Sequence, residues 1–412
     1  MTDLGGPQTA ARPGWKRDIA IFLGGQSISA FGSMLVQYAI VWHLTLVTQS
    51  GWVLTAAIVC GMLPQAIMST FGGVWADRMN RKALIMLADG GIALTTLALA
   101  IFMMSGYQEL WLIFLTLTIR SVGAGIQMPA VNALIPQLVP TDQLMRINGI
   151  NRSIQSAIMI LSPAVAAAVY ASMSIVAIFF IDVVTAVIGI GFLLLIAVPT
   201  IRTAANSTGY FHDLKEGVRY TFSHARIRWV LVVLALMMFL AAAPSNLTPL
   251  LVVRSFGSEV WLLTVTELSF SIGMLLAGLL VAMLGPRLKR KGLLIFLTGV
   301  AFGVILLGLG IAPNQWIFFA VMFVAGASVP FIVTPITVTV QERVDPERQG
   351  RVFGVAGVVE TLATPAGMLV LGPLADVVSV ESILIACGVA TLVAIAILGL
   401  VPAGRAAIAD PK

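Results

Sequence analysis

Residues 73–82 read Gly73-Val74-Trp75-Ala76-Asp77-Arg78-Met79-Asn80-Arg81-Lys82. Four of the ten are charged, whereas the run before them, 53–74, has no charge and the run after them, 83–104, has only Asp89. About twenty apolar residues let a helix cross the hydrocarbon core of a bilayer. The stretch therefore reads as a short polar turn between two membrane-length helices, and that hairpin decides the fold class.

Working outward, apolar runs of similar length recur at 19–46, 53–74, 83–104, 110–134, 147–171, 174–198, 229–252, 260–284, 292–311, 315–340, 349–375 and 381–401. The expectation is an all-α polytopic membrane protein with twelve transmembrane helices. Composition agrees. Charged residues are 10% of 412 and hydrophobic residues 59%, against roughly 25% charged in a soluble domain. The 38 glycines suit helices that approach closely without a hydrophobic force between them. The first run is longer than the apolar core of a signal peptide and is read as a span.

Orientation follows from the basic residues. With the N-terminus cytoplasmic, the links on that side carry Arg12, Lys16 and Arg17, then Arg78, Arg81 and Lys82, then Arg146 and Arg152. Further links carry Arg202, Lys215, Arg219, Arg226 and Arg228, then Arg287, Lys289, Arg290 and Lys291, then Arg343, Arg348 and Arg351, with Arg405 and Lys412 in the tail. On the other side stands only Arg254, and Arg120 lies inside a span. Both termini are thus expected in the cytoplasm. The net charge of +6 is spread over these links, so a nucleic-acid partner is not expected. Cys60 and Cys387 are far apart, and His43, His212 and His224 lack ligand spacing. No metal and no cofactor is expected, nor any catalytic constellation of an enzyme.

The longest link, 199–228, divides the chain into expected six-helix bundles at 1–198 and 229–412. Within it, Phe211, Leu214, Val218 and Phe222 recur at helical spacing, which predicts a short amphipathic helix on the membrane surface.

The stretch 73–82 resembles the signature loop of the major facilitator superfamily, Gly-x-Leu-Ala-Asp-Arg-x-Gly-Arg-Lys, with Trp75 for Leu and Asn80 for Gly. Gly and Asn both tolerate unusual backbone angles in a tight turn. The resemblance implies a cytoplasmic gate of Gly73, Asp77, Arg78, Arg81 and Lys82, with Asp77 facing the start of span 11. Arg120-Ser121-Val122-Gly123-Ala124-Gly125 resembles the superfamily's Arg-x-x-x-Gly-x-Gly motif. Arg120, Gly123, Ala124 and Gln127 share a helical face, expected to line the central pathway. Ser162-Pro163-Ala164-Val165-Ala166-Ala167 is similar to the Gly-Pro-x-x-Gly-Gly element of drug/proton antiporters. Ile119–Gly123, Asn132–Pro140, Thr266-Glu267-Leu268-Ser269-Phe270 and Gly350-Arg351-Val352-Phe353 resemble Mef-type macrolide-efflux transporters. The resemblance implies the two-bundle major facilitator fold and proton-coupled efflux of amphipathic drug-like compounds, macrolides among them. It also implies multidrug resistance in a bacterial cytoplasmic membrane. An uptake symporter for a small polar solute and a siderophore exporter are the alternatives.

Antiport needs an acid inside the membrane. Asp89, Asp182, Glu267 and Glu360 lie in spans. The resemblance places spans 8 and 11 at the moving interface. Glu267, about 12 Å into span 8, is therefore the first proton-coupling candidate and Glu360 the second. Asp182 is the third candidate, on an outer helix where a fixed hydrogen bond is the other expectation, and Asp89 is expected to pair with Arg78, Arg81 or Lys82. Gln26, Gln37, Tyr38, Asn246, Thr334 and Thr337 are candidate substrate contacts beside Arg120 and Gln127. Pro330, Pro335 and Pro365 are expected to interrupt spans 10 and 11. The expected partners are protons, a small amphipathic substrate and the lipid bilayer, with the protein a monomer.

Overall fold

A computed structural model describes residues 14–198, 210–284 and 290–409, with the side chains at 77, 210–215, 217, 346 and 347 outside the described set. Between α2 (Gly51–Arg78) and α3 (Arg81–Met104), only Met79 and Asn80 are non-helical. Asn80 has φ −67 and ψ 110, and its side chain accepts from the Ala83 N–H, so it N-caps α3. The backbone there is extended, so Asn80 serves as a cap and not as a residue tolerant of unusual angles. Lys82 Nζ donates to the carbonyls of Leu194 (3.2 Å) and Ile196 (2.7 Å), tying the start of α3 to the end of α6 (Ile175–Leu194).

All regular elements among the described residues are helical. The first part contains α1 (Trp15–Thr48), α2, α3, α4 (Leu110–Leu138), a 3-10 turn at Thr141–Gln143, α5 (Leu144–Ser172) and α6. There follow α7 (Tyr210–Ser223), α8 (Ala225–Leu240), α9 (Ala242–Asn246), α10 (Thr248–Ser255), α11 (Val260–Leu284) and α12 (Lys291–Gly310). The chain ends with α13 (Gln315–Arg343), α14 (Pro346–Leu374), α15 (Val380–Leu400) and α16 (Pro402–Ala409). Eleven helices, α1 to α6 and α11 to α15, are long and apolar enough to cross a membrane.

The seventh expected span, the run 229–252, is not one helix. It breaks at Ala241 and Leu247 into α8, α9 and α10. Pro244 and Pro249 carry no N–H for the carbonyls four residues back. The Asn246 amide donates to the Ala242 carbonyl (3.0 Å), and the Thr248 hydroxyl to that of Pro244. By contrast, α13 runs unbroken through Pro330 and Pro335, and α14 through Pro365. The expected interruptions there are absent, as packed membrane helices often accommodate proline.

The chain divides into two compact units: Met1–Ile40 with Pro64–Asn206, and Val41–Leu63 with Ser207–Lys412. In the first, Ile19, Phe22, Ile85, Leu134 and Leu193 form a buried core that joins α1, α3, α4 and α6. In the second, α11 and α13 meet where neither can carry a side chain. A β-carbon on Gly273 would overlap the Phe323 carbonyl, and one on Gly326 the Phe270 carbonyl. Trp261 and Trp316, at the starts of the same two helices, are exposed with ring centroids 6.3 Å apart. Such a pair suits the level of the lipid headgroups.

Candidate functional site

Three helices of the first unit carry polar residues seven apart: Gln26 and Ser33 on α1, Asp89 and Thr96 on α3, Arg120 and Gln127 on α4. Seven residues are two helical turns, about 10 Å, so each helix contributes one group to each of two polar layers.

In one layer Arg120 is 8% exposed and Asp182, from α6, 1%. Arg120 Nη1 pairs with Asp182 Oδ2 and also donates to the Thr96 hydroxyl. Ser33 donates to Asp182 Oδ1 (3.1 Å), Thr96 donates to Oδ2 (3.2 Å), and Arg120 Nη2 reaches the Ser33 carbonyl at 3.5 Å. A charge pair with its remaining hydrogen-bonding capacity met is the form in which buried ions are tolerated. Arg120 was expected to line an open pathway. It lies instead inside the unit, joined to Asp182, which holds the fixed bonds expected of it.

The other layer has no cation among its described contacts. The Gln127 amide donates to Asp89 Oδ1 and lies 3.4 Å from Gln26 Oε1. Asp89 is 2% exposed, and its Oδ2 has no hydrogen-bond partner among the described residues. Among the described residues Asp89 is held by Gln127 and Gln26 and not by Arg78, Arg81 or Lys82. Lys82 lies two turns away along α3, about 10 Å, and is engaged by carbonyl groups, while Arg81 Nε donates to the Ala76 carbonyl at 2.8 Å. An unpaired carboxylate with an orphan oxygen in an apolar interior is costly. A proton on Oδ2 would remove the charge and turn an orphan acceptor into a donor.

The remaining expected site residues are scattered. Glu267 is partly buried on α11, one turn from buried Leu263 and Ser271, and makes no hydrogen bond or ion pair with a described residue. Glu360 is exposed on α14. Gln37 and Tyr38 are half-buried on α1. Asn246 is turned to its own backbone at the end of α9. On α13, Thr334 is exposed and the Thr337 hydroxyl donates to the Val333 carbonyl at 2.9 Å. Of the gate residues, Gly73 has open space where a side chain would sit and Arg78 is exposed. The Asp77 side chain is outside the described residues.

A further polar cluster escaped the sequence reading. It lies within the second unit, where α2 begins. Asp376, just past α14, accepts from the amides of Gly51 (2.6 Å) and Trp52 (2.9 Å) and from the Ser50 hydroxyl (3.0 Å). Arg254 lies 3.6 Å from its carboxylate and donates to the Ala375 carbonyl (2.6 Å) and to that of Gln49, a residue at φ 46. The sequence holds a signal for this cluster. Gly372-Pro373-Leu374-Ala375-Asp376 repeats the Gly-x-x-Ala-Asp of Gly73–Asp77. One copy ends α2 and the other ends α14, and the second acid caps the beginning of α2.

Partial burial pushes the Asp376 carboxyl up, but the Trp52 and Gly51 amides, the Ser50 hydroxyl and Arg254 outweigh it and hold it below the ordinary carboxylate range. A depressed acid adds stability that is fully present above its unfolded value, about 3.9, and is lost as pH falls through the folded one. Asp376→Asn should therefore melt below wild type at neutral pH, and the gap should close as the medium is acidified below about pH 4. Thermal melts in detergent across that range check this; a gap unchanged with pH would exclude the carboxylate's charge as the cause.

The sequence profile described as Major Facilitator Superfamily matches residues 18–368 and 260–410. The chain is 34% identical over 376 residues to "Macrolide efflux protein A" of Streptococcus pyogenes, covering 89% of this chain and 91% of that one. It is 35% identical over 317 residues to the protein of the same name from Enterococcus faecalis, covering 75% and 96%. Among solved structures, the nucleoside transporter NupG superposes with a TM-score of 0.72 at 15% identity, over 93% of this chain and 99% of that one.

Proposed function

This chain belongs to the major facilitator superfamily, whose members transport small molecules across membranes and are not enzymes, and we propose that it is a proton-coupled exporter of amphipathic drug-like compounds. The observation that carries the substrate class is the 34% identity to a macrolide-efflux protein along 89% of the chain. Macrolides are the first compounds to try. The sparse polar groups among apolar side chains suit bulky amphipathic ligands better than small polar solutes.

In this reading α8, α9 and α10 together form the seventh of twelve spans. Six-helix halves at 1–198 and 229–412 are then joined by the link 199–228. The one-sided distribution of basic residues puts both termini in the cytoplasm of a bacterium, and the working unit is a monomer. The gate is formed by Gly73, Asp77, Arg78, Arg81 and Lys82. Glu267 carries the proton, Glu360 serves as a more accessible acid on α14, and Asp89 is a further titratable position in the first unit. Glu267 and Asp89 have in common a position inside a span and no cationic partner among the described residues. Asp182 is committed to Arg120 and does not carry the proton. Gln26, Gln37, Tyr38, Gln127, Asn246, Thr334 and Thr337 are the polar groups available to substrate.

Cells expressing the protein should accumulate less radiolabelled macrolide than cells with an empty vector, and an uncoupler should abolish the difference. Equal accumulation in both would remove macrolides from the proposal. Higher accumulation in expressing cells would reverse the direction and favour an uptake symporter.

A further inference from the structure

A cavity of about 300 Å³ lies between α7 and the first turns of α14, wholly within the second unit. Most of its lining residues are charged or polar. Arg219, Ser223 and His224 line it from α7 and the residue that follows, and Arg348 and Arg351 from α14. Glu216 is the only carboxylate in the lining among the described residues, and it forms an ion pair with Arg351. Arg348 lies over the Tyr220 ring, 5.3 Å from its centroid, and Arg219 is exposed. Neither of these two guanidinium groups makes a hydrogen bond or ion pair with a described residue, so the described lining carries an excess of positive charge.

His224 is stacked on Tyr220 with ring centroids 3.9 Å apart. Its Nδ1 donates to the Tyr220 carbonyl (2.9 Å), as does the Ser223 hydroxyl (2.8 Å), so these two groups shape the wall and the guanidinium groups are the donors open to an anion. The beginning of α14 adds the positive end of a helix dipole. Two guanidinium groups from different helices, each able to give paired hydrogen bonds, match the tetrahedral oxygens of a phosphate better than a single carboxylate.

The surroundings say what carries the phosphate. On α7, Val218 and Phe222 are one turn apart and 38% and 63% exposed, next in sequence to the cavity residues Arg219 and Ser223. A helix with an apolar edge beside basic groups has the design of one lying in a membrane interface. The cavity is at the small end of ligand sites. It has room for a headgroup, with the acyl chains leaving along the apolar edge.

We infer that this cavity is a phosphate-binding site and that an anionic phospholipid supplies the phosphate. The bound headgroup bridges α7 to α14 and so joins the link between the halves to the helix that bears Glu360. The inference does not depend on which solute is transported, or in which direction.

The test uses the purified full-length protein in an uncharged detergent, with dioctanoyl phosphatidylglycerol, dioctanoyl phosphatidylcholine and inorganic phosphate as separate probes. Wild type should bind phosphatidylglycerol saturably and phosphatidylcholine far less. The Arg219→Gln/Arg348→Gln variant should bind phosphatidylglycerol about thirtyfold more weakly, since each basic group near an anionic lipid contributes about fivefold. A charge-matched control, Arg152→Gln/Arg290→Gln, should bind as wild type does. Unchanged melting of both variants without lipid guards against misfolding. Phosphate that binds wild type but not the Arg219/Arg348 variant, with no preference for the lipid, keeps the site and overturns the lipid as its source. Equal phosphatidylglycerol binding by wild type and that variant, or equal binding of the two lipids, overturns the site.

Discussion

Asp182→Ala should lower stability by about 3–5 kcal/mol, because it strands Arg120 as a buried cation. Arg120 and Asp182 are 8% and 1% exposed, so water cannot replace the lost partner. Ser33 loses its acceptor in the same step, and Thr96 keeps only the Ile92 carbonyl. Arg120→Ala should cost a similar amount, by leaving the carboxylate unpaired. Replacing both residues together, Arg120→Met with Asp182→Leu, should recover most of the loss, because two apolar side chains leave no charge to desolvate. Arg120→Lys keeps the charge but loses the fork whose Nη1 reaches Asp182 and Thr96 while Nη2 reaches the Ser33 carbonyl, so it should fall between wild type and Arg120→Ala. Unfolding in detergent measures all four variants. Single variants as stable as wild type would show that the pair contributes nothing to the fold.

The second large effect is on transport. Glu267→Gln preserves the shape of the side chain and removes its ability to lose a proton. Glu267 makes no ion pair with a described residue, so no cation is stranded and the fold should survive. Gradient-driven movement should fall to the level of empty vesicles, while substrate binding by the purified protein persists. Asp89→Asn is the informative companion. The new amide cannot take up or release a proton, yet its oxygen can still accept from Gln127. If Asp89 titrates during the cycle, its loss also uncouples transport. If Asp89 only holds Gln127, transport should persist with altered affinity.

The helical membrane fold was legible because the signal is coarse: runs of about twenty apolar residues and basic residues confined to alternate links. The break between α8 and α10 was not. Pro244 and Pro249 are five apart, and so are Pro330 and Pro335, but only the first pair ends a helix. Between the first pair stand Ser245, Asn246, Leu247 and Thr248, and the Asn246 and Thr248 side chains bond nearby carbonyls. Between the second stand Phe331, Ile332, Val333 and Thr334. Short polar side chains offer the backbone alternative partners, and large apolar ones do not.

The candidate site was legible as residue types but not as partners. Arg120 and Asp182 could each be singled out as a charge within a span. Their pairing across 62 residues depends on how α4 and α6 pack, and no local pattern encodes that. The seven-residue spacing common to α1, α3 and α4 was present in the sequence but meant nothing until those helices were neighbours. Asp89 was assigned to nearby basic residues from closeness in sequence. Two helical turns carry it beyond their reach and into the layer of Gln26 and Gln127.

The most direct test of proton-driven export is transport of a fluorescent amphipathic drug by inside-out vesicles under an imposed proton gradient, acid inside, for wild type and Glu267→Gln. The account predicts uptake into wild-type vesicles that collapses when an uncoupler is added and is absent in the variant. Uptake by Glu267→Gln equal to wild type would contradict the assignment of the proton carrier, and wild-type uptake indifferent to the uncoupler would contradict proton coupling itself.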